Sequence, residues 1–83
     1  MDYRVIEYKE ILHEAFAGLL AEISYIISQK ENSLKSDDPL YFFKEKTAAI
    51  WREIIGDKYS TMDDMIKLKG QYELIQSYIK GIS

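Results

Sequence analysis

From Tyr3 to Glu31 the chain holds no proline and a single glycine, and its apolar residues return every three or four positions. Val5, Tyr8, Leu12, Ala15, Phe16, Leu19, Ile23, Ile26 and Ile27 share one sector when each residue is turned by about 100°, with Glu7, Glu10, Glu14, Glu22 and Ser28 outside it. A stretch of this length and period folds as an amphipathic helix of about eight turns, with one face that must be covered. The spacing predicts helix over residues 3–31. Asp2 is the expected N-cap and Asn32 the expected left-handed exit.

A polar linker, residues 32–38, follows. Asp38-Pro39 marks a second start: Asp caps, and Pro stands first in the helix, where its missing N–H is not needed. The second helix is expected over residues 39–55, with the stripe Leu40, Phe43, Thr47, Ile50, Trp51 and Ile54, Ile55 on the flank and Gly56 as the terminating residue. Thr61 and Asp64 have capping-box spacing, with Asp in place of Glu. They open a third helix, expected over residues 62–80. Its apolar set, Met65, Leu68, Tyr72, Ile75, Ile79 and Ile82, steps by 3, 4, 3, 4 and 3, the seam of a coiled coil or bundle.

Three helices with short connections imply a small all-α, three-helix antiparallel unit in a single domain, a long N-terminal helix plus a helical hairpin. The first stripe runs about 33 Å from Val5 to Ile27, against about 22 Å from Leu40 to Ile55, at 1.5 Å per residue. On that arithmetic the long stripe outruns the second helix, and a second copy is expected to complete the core. The expected interface of this homo-oligomer is Ile23, Ile26, Met65, Leu68, Gly70, Tyr72, Ile75 and Ile79. Gly70 is the telling member, since a mid-helix glycine costs about 1 kcal/mol against alanine. Off the stripes lie Tyr41, Phe42, Lys46 and Arg52 of the second helix and Tyr25 of the first. These are the candidate contacts for another partner or a ligand.

Composition removes most chemistry. There is no cysteine, hence no disulfide, thiolate metal site or cysteine nucleophile. The four glycines are isolated, so no phosphate-cradling loop exists. The one histidine, His13, forms Glu-x-x-His with Glu10, the spacing of di-iron bundles, but the pair points away from the stripe where such ligands belong. It is read as a solvated residue near Lys9. Asp37-Asp38 and Asp63-Asp64 stand at helix starts and are read as caps. No catalytic residue, metal ligand or cofactor is assigned, and the chain is read as a non-enzyme.

The chain carries a net charge of −3. All of it lies in residues 1–31, with six acids and three bases; residues 32–83 hold eight of each. Lys44, Lys46, Arg52, Lys58, Lys67 and Lys69 with Tyr41, Phe42 and Tyr59 would suit nucleic acid, but interleaved acids and the acidic balance argue against it. Charge-free runs stop at seven residues, such as Ala15 to Ala21, so no membrane span is expected. With no basic region leading into an apolar one at the start, the cytoplasm is the expected location.

The C-terminal half has a further cadence. Trp51-Arg52-Glu53-Ile54-Ile55, a turn, Asp64, then Lys67-Leu68-Lys69-Gly70-Gln71-Tyr72-Glu73-Leu74-Ile75-Gln76-Ser77-Tyr78-Ile79 resembles the end of small helical bacteriophage and prophage accessory proteins. The resemblance implies a phage origin, an oligomer, and a binding role that in some such proteins blocks host defence. The function expected is therefore a self-associating helical protein that binds another protein. The alternative is an oligomer that sequesters a small anionic ligand, such as a nucleotide, between subunits through Tyr and Lys/Arg.

Overall fold

A computed structural model describes residues 3–82 and contains three helices: α1 (Tyr3–Lys30), α2 (Pro39–Glu53) and α3 (Met62–Ile82). No strand occurs among the described residues. The fold is all-α, as expected. Asp2, the expected cap of α1, lies outside the described residues.

The local signals at two helix starts act as the sequence implies. Asp38 is extended, and its Oδ1 accepts from the Leu40 N–H at 2.9 Å, with Pro39 next to it. At α3 the Thr61 Oγ1 accepts from the Asp64 N–H at 3.1 Å, and the Asp64 carboxylate accepts from the Ser60 and Thr61 N–H groups at 3.0 and 3.2 Å. Those backbone donors hold the Asp64 carboxyl below its ordinary value. Asp therefore serves in the capping box where Glu is usual.

The helix ends differ from expectation. No described residue has a positive φ, so neither Asn32 nor Gly56 is a left-handed exit. Instead the Lys30 carbonyl accepts from Ser33 and Leu34 N–H groups at 2.9 and 3.0 Å. The Ile54 N–H closes α2 on the Ile50 carbonyl at 2.9 Å with right-handed backbone angles. Lysines of α1 supply the remaining donors. Lys9 Nζ reaches the Gly56 carbonyl at 2.9 Å and Lys30 Nζ the Ile82 carbonyl at 3.0 Å, each a cation on the negative end of a neighbouring helix.

These two bonds also give the directions. The end of α2 lies beside the start of α1, and the end of α3 beside the end of α1, so the chain runs up, down and up. The molecule measures 47 × 21 × 17 Å. α1 is the spine: it packs along both α2 and α3, which touch each other little. The core comprises Val5, Leu12, Phe16, Leu19, Ile23, Ile26 and Ile27 of α1, Leu40 and Ile50 of α2, Ile54 beyond it, and Met65, Leu68, Ile75 and Ile79 of α3. Phe43 meets Tyr78 at 4.7 Å between ring centres, and Tyr72 sets its ring edge-on to Phe16 at 5.7 Å.

That core overturns the argument for completion by a second copy. Ile23 and Ile75 are 0% exposed, Met65 and Ile79 1%, Leu68 3% and Ile26 8%, all within one chain. The length comparison set α1 against α2 alone. α3 begins opposite Tyr8 and ends on Lys30, so it covers the stretch that α2 leaves. Of the expected interface only Gly70 is exposed and Tyr72 half-buried. Tyr8, read as a core residue, is 41% exposed.

By length and composition α1 could cross a membrane, a property that counting charge-free runs misses. Its apolar stripe is nevertheless the core of the bundle.

Candidate partner-binding surface

With the seams closed, the surface is made of the outward helix faces. On α2, Phe42, Glu45 and Arg52 turn away from the buried set Leu40, Thr47 and Ile50 and are exposed, while Tyr41, Lys46, Ala48 and Ala49 are half-buried, Tyr41 packing against the edge of the core. Tyr41, Phe42, Lys44, Glu45, Lys46, Ala48, Ala49 and Arg52 line a groove of about 760 Å³. The alanines make its floor, since neither side chain extends beyond Cβ. Phe42 stands 62% exposed on its rim, edge-on to Phe43 at 5.6 Å, with Lys46 Nζ 5.9 Å from its ring centre. Because Phe43 packs on Tyr78 of α3, a line of three rings anchors the rim to the core.

Four of the five expected partner contacts, Tyr41, Phe42, Lys46 and Arg52, thus meet in one groove. Tyr25 does not line it; it is 65% exposed on α1. The Ala48-Ala49 floor was passed over in the sequence. Its signal is a pair of the smallest side chains between basic residues on an outward face.

α1 turns outward a second, different face. Tyr3, Glu7, Glu10, Glu14, Gly18, Ala21 and Tyr25 recur at steps of four and three and are all exposed, with Ile11 on the flank at 63%. This row is acidic, whereas the α2 groove has three bases to one acid. A smaller cleft of about 260 Å³ lies where α1 and α3 begin, lined by Tyr8, Met62, Met65, Ile66 and Lys69.

His13 is half-buried and has a partner. Its ring stacks on Trp51 at 5.4 Å and 16° across the α1–α2 contact. No group of three or more His, Asp or Glu among the described residues could hold a metal. Thr47 Oγ1, Trp51 Nε1 and Gln71 Oε1 are buried without a hydrogen bond.

Comparison with known families decides what kind of chain this is. The family model described as bacterial epsilon antitoxin matches residues 1–82, all three helices included. The chain belongs to the bacterial epsilon antitoxin family. No curated protein and no solved structure matches it. Membership overturns the phage reading: the match takes in α1, which the phage cadence left unexplained, as well as the segment from Trp51 to Ile79. That cadence is what any closing helix with a buried seam shows, so it carried little information about origin. The small-anion alternative falls with it. It placed the ligand between subunits through Tyr and Lys/Arg side chains, whereas the family match points to a protein partner. Antitoxins are generally not enzymes and act on another protein.

Proposed function

We propose that this chain neutralises a zeta toxin in the bacterial cytoplasm by binding it as a folded protein, without catalysing a reaction. The match of the whole chain to the epsilon antitoxin family carries this reading. The surface supports it. Phe42, Ile11 and Tyr25 are more than 60% exposed, and large apolar side chains held outside the core suit an interface. Tyr41, Phe42, Lys46 and Arg52 form one contact, and Tyr25 belongs to another.

The experiment is to induce the zeta toxin from the same source in cells with and without this chain, and to pass the two purified proteins through a sizing column. Restored growth and co-elution are expected. Growth arrest that ignores the chain, with separate elution, would overturn the reading.

A second copy is an additional partner that the outward side of α3 favours. Ile66 and Leu74 are 64% and 57% exposed there, and nothing lies within 4 Å of a Cβ built on Gly70 between them. Another helix could approach closely at that glycine. Sedimentation of the chain at tens of micromolar tests this: a dimer lost on Gly70→Leu supports it, and a monomer rejects it.

A further inference from the structure

We infer that Trp51 is a positioning residue: stacked on His13, it fixes the start of α1 and so holds the outward row of that helix in register for the toxin. This rests on the toxin-binding reading and deepens it by naming what keeps one contact face in place.

The start of α1 is thinly held. Among residues 3–11 only Val5 is buried, whereas Leu12, Phe16, Leu19, Ile23, Ile26 and Ile27 all are from there on. Where the stripe calls for its next buried side chain it has Tyr8, which is 41% exposed and lines the cleft at the start of α3. Apolar cover therefore does little to fix these turns, and a segment with few buried contacts opens readily. Two attachments stand in for it, both to the end of α2. The Lys9 ammonium donates to the Gly56 carbonyl at 2.9 Å, and one turn later the His13 ring lies on the Trp51 indole at 5.4 Å and 16°. Lys9 and His13 are four residues apart, so both attachments lie on one side of α1.

The same turns carry Glu7, Glu10 and Glu14 on their outward face, with Ile11 63% exposed on the flank. The indole acts on them by stacking alone. Its Nε1 is buried without a hydrogen bond, so the ring face makes the contact. Burying an unpaired N–H is a cost, which the stack offsets. A row fixed before the encounter has less freedom to lose on binding, and this strengthens the complex. Trp51 thus works on the toxin from the inner side of α1, through His13.

Calorimetric titration of the zeta toxin with variants of the full chain tests this, at a temperature where circular dichroism shows each to be folded. Trp51→Ala is expected to bind roughly tenfold more weakly, the upper range of what a stacked ring pair contributes to an equilibrium. Its amide hydrogens should exchange faster over residues 5–14 and not over residues 16–30. Trp51→Phe keeps a ring and drops the unpaired N–H, so it should bind within about twofold of the unmodified chain. Ile50→Ala loosens the same helix contact without removing either ring, and should bind normally. His13→Ala should match Trp51→Ala. The two changes together should weaken binding no further than either alone, because residues that act as one unit are not additive. If Trp51→Ala does not fold, His13→Ala carries the same expectations. Undiminished binding or unchanged exchange in the folded alanine variants overturns the inference and leaves the toxin reading intact. So does an equal loss in Ile50→Ala or Trp51→Phe, or additive losses, which would mean that both rings touch the toxin directly. No heat and no complex with the unmodified chain removes both.

Discussion

The two sides of α2 are built from the same fifteen residues to opposite ends. Inward, Leu40, Thr47 and Ile50 are almost completely buried against α1, and Ile54 continues the line. Outward, Phe42 is 62% exposed, and Lys44, Lys46 and Arg52 line the face beside Ala48 and Ala49 without an ion pair among the described residues. The contrast teaches that the side that holds the fold and the side left open to solvent are separated on one helix by about half a turn. One side can therefore be altered with little effect on the other.

The largest effect should come from the inner side. Ile54→Ala removes a fully buried side chain where α1 and α2 meet, and should lower the unfolding free energy by about 2–5 kcal/mol in urea. Phe42→Ala, on the outer side, should change stability by less than about 0.5 kcal/mol, as exposed substitutions do. If Phe42→Ala cost as much as Ile54→Ala, the separation would be broken.

Thr47→Val sharpens the inner side. The Thr47 hydroxyl is buried without a partner, so its removal should raise stability by about 1 kcal/mol, read as a higher melting temperature. A loss would mean that the hydroxyl has a partner in solution. Gly70→Ala extends the test to the outer side of α3. The new Cβ meets nothing within 4 Å, so the free chain should gain about 1 kcal/mol from helix propensity.

The smallest effect is at the α3 cap. The folded Asp64 carboxyl titrates below the ordinary value near 3.8 because backbone N–H groups hold its charged form. The unfolded chain therefore binds that proton first as pH falls. The cap's contribution is present in full above the unfolded value and fades as pH drops through the folded one. Asp64→Asn should flatten the acid limb of a stability–pH curve below pH 4 and leave α2 unaffected.

Much of this division could be read from residue order. The stripes of α1 and α3 follow from three- and four-residue steps, because a helix fixes which residues share a side. For the same reason Tyr41, Phe42, Lys46 and Arg52 could be placed together, being neighbours on one helix. What escaped depends on how helices meet. That α3 covers the far end of α1 is set by its offset along the spine, which no periodicity records. His13 looked solvated because its partner, Trp51, lies on another helix. Asn32 and Gly56 looked like left-handed exits, but the Ser33 and Leu34 N–H groups close α1 on the Lys30 carbonyl, and Lys9 of α1 reaches the Gly56 carbonyl. The phage cadence misled because a buried seam with one glycine is common to many closing helices.

We propose that one side of α2 holds the fold and the other is open to a partner. The most direct test is to measure melting temperature and toxin affinity together for Phe42→Ala and Ile50→Ala. Phe42→Ala should lose affinity with its melting temperature unchanged, while Ile50→Ala should melt earlier yet bind normally at temperatures where it is folded. Both properties falling together in both variants would contradict it.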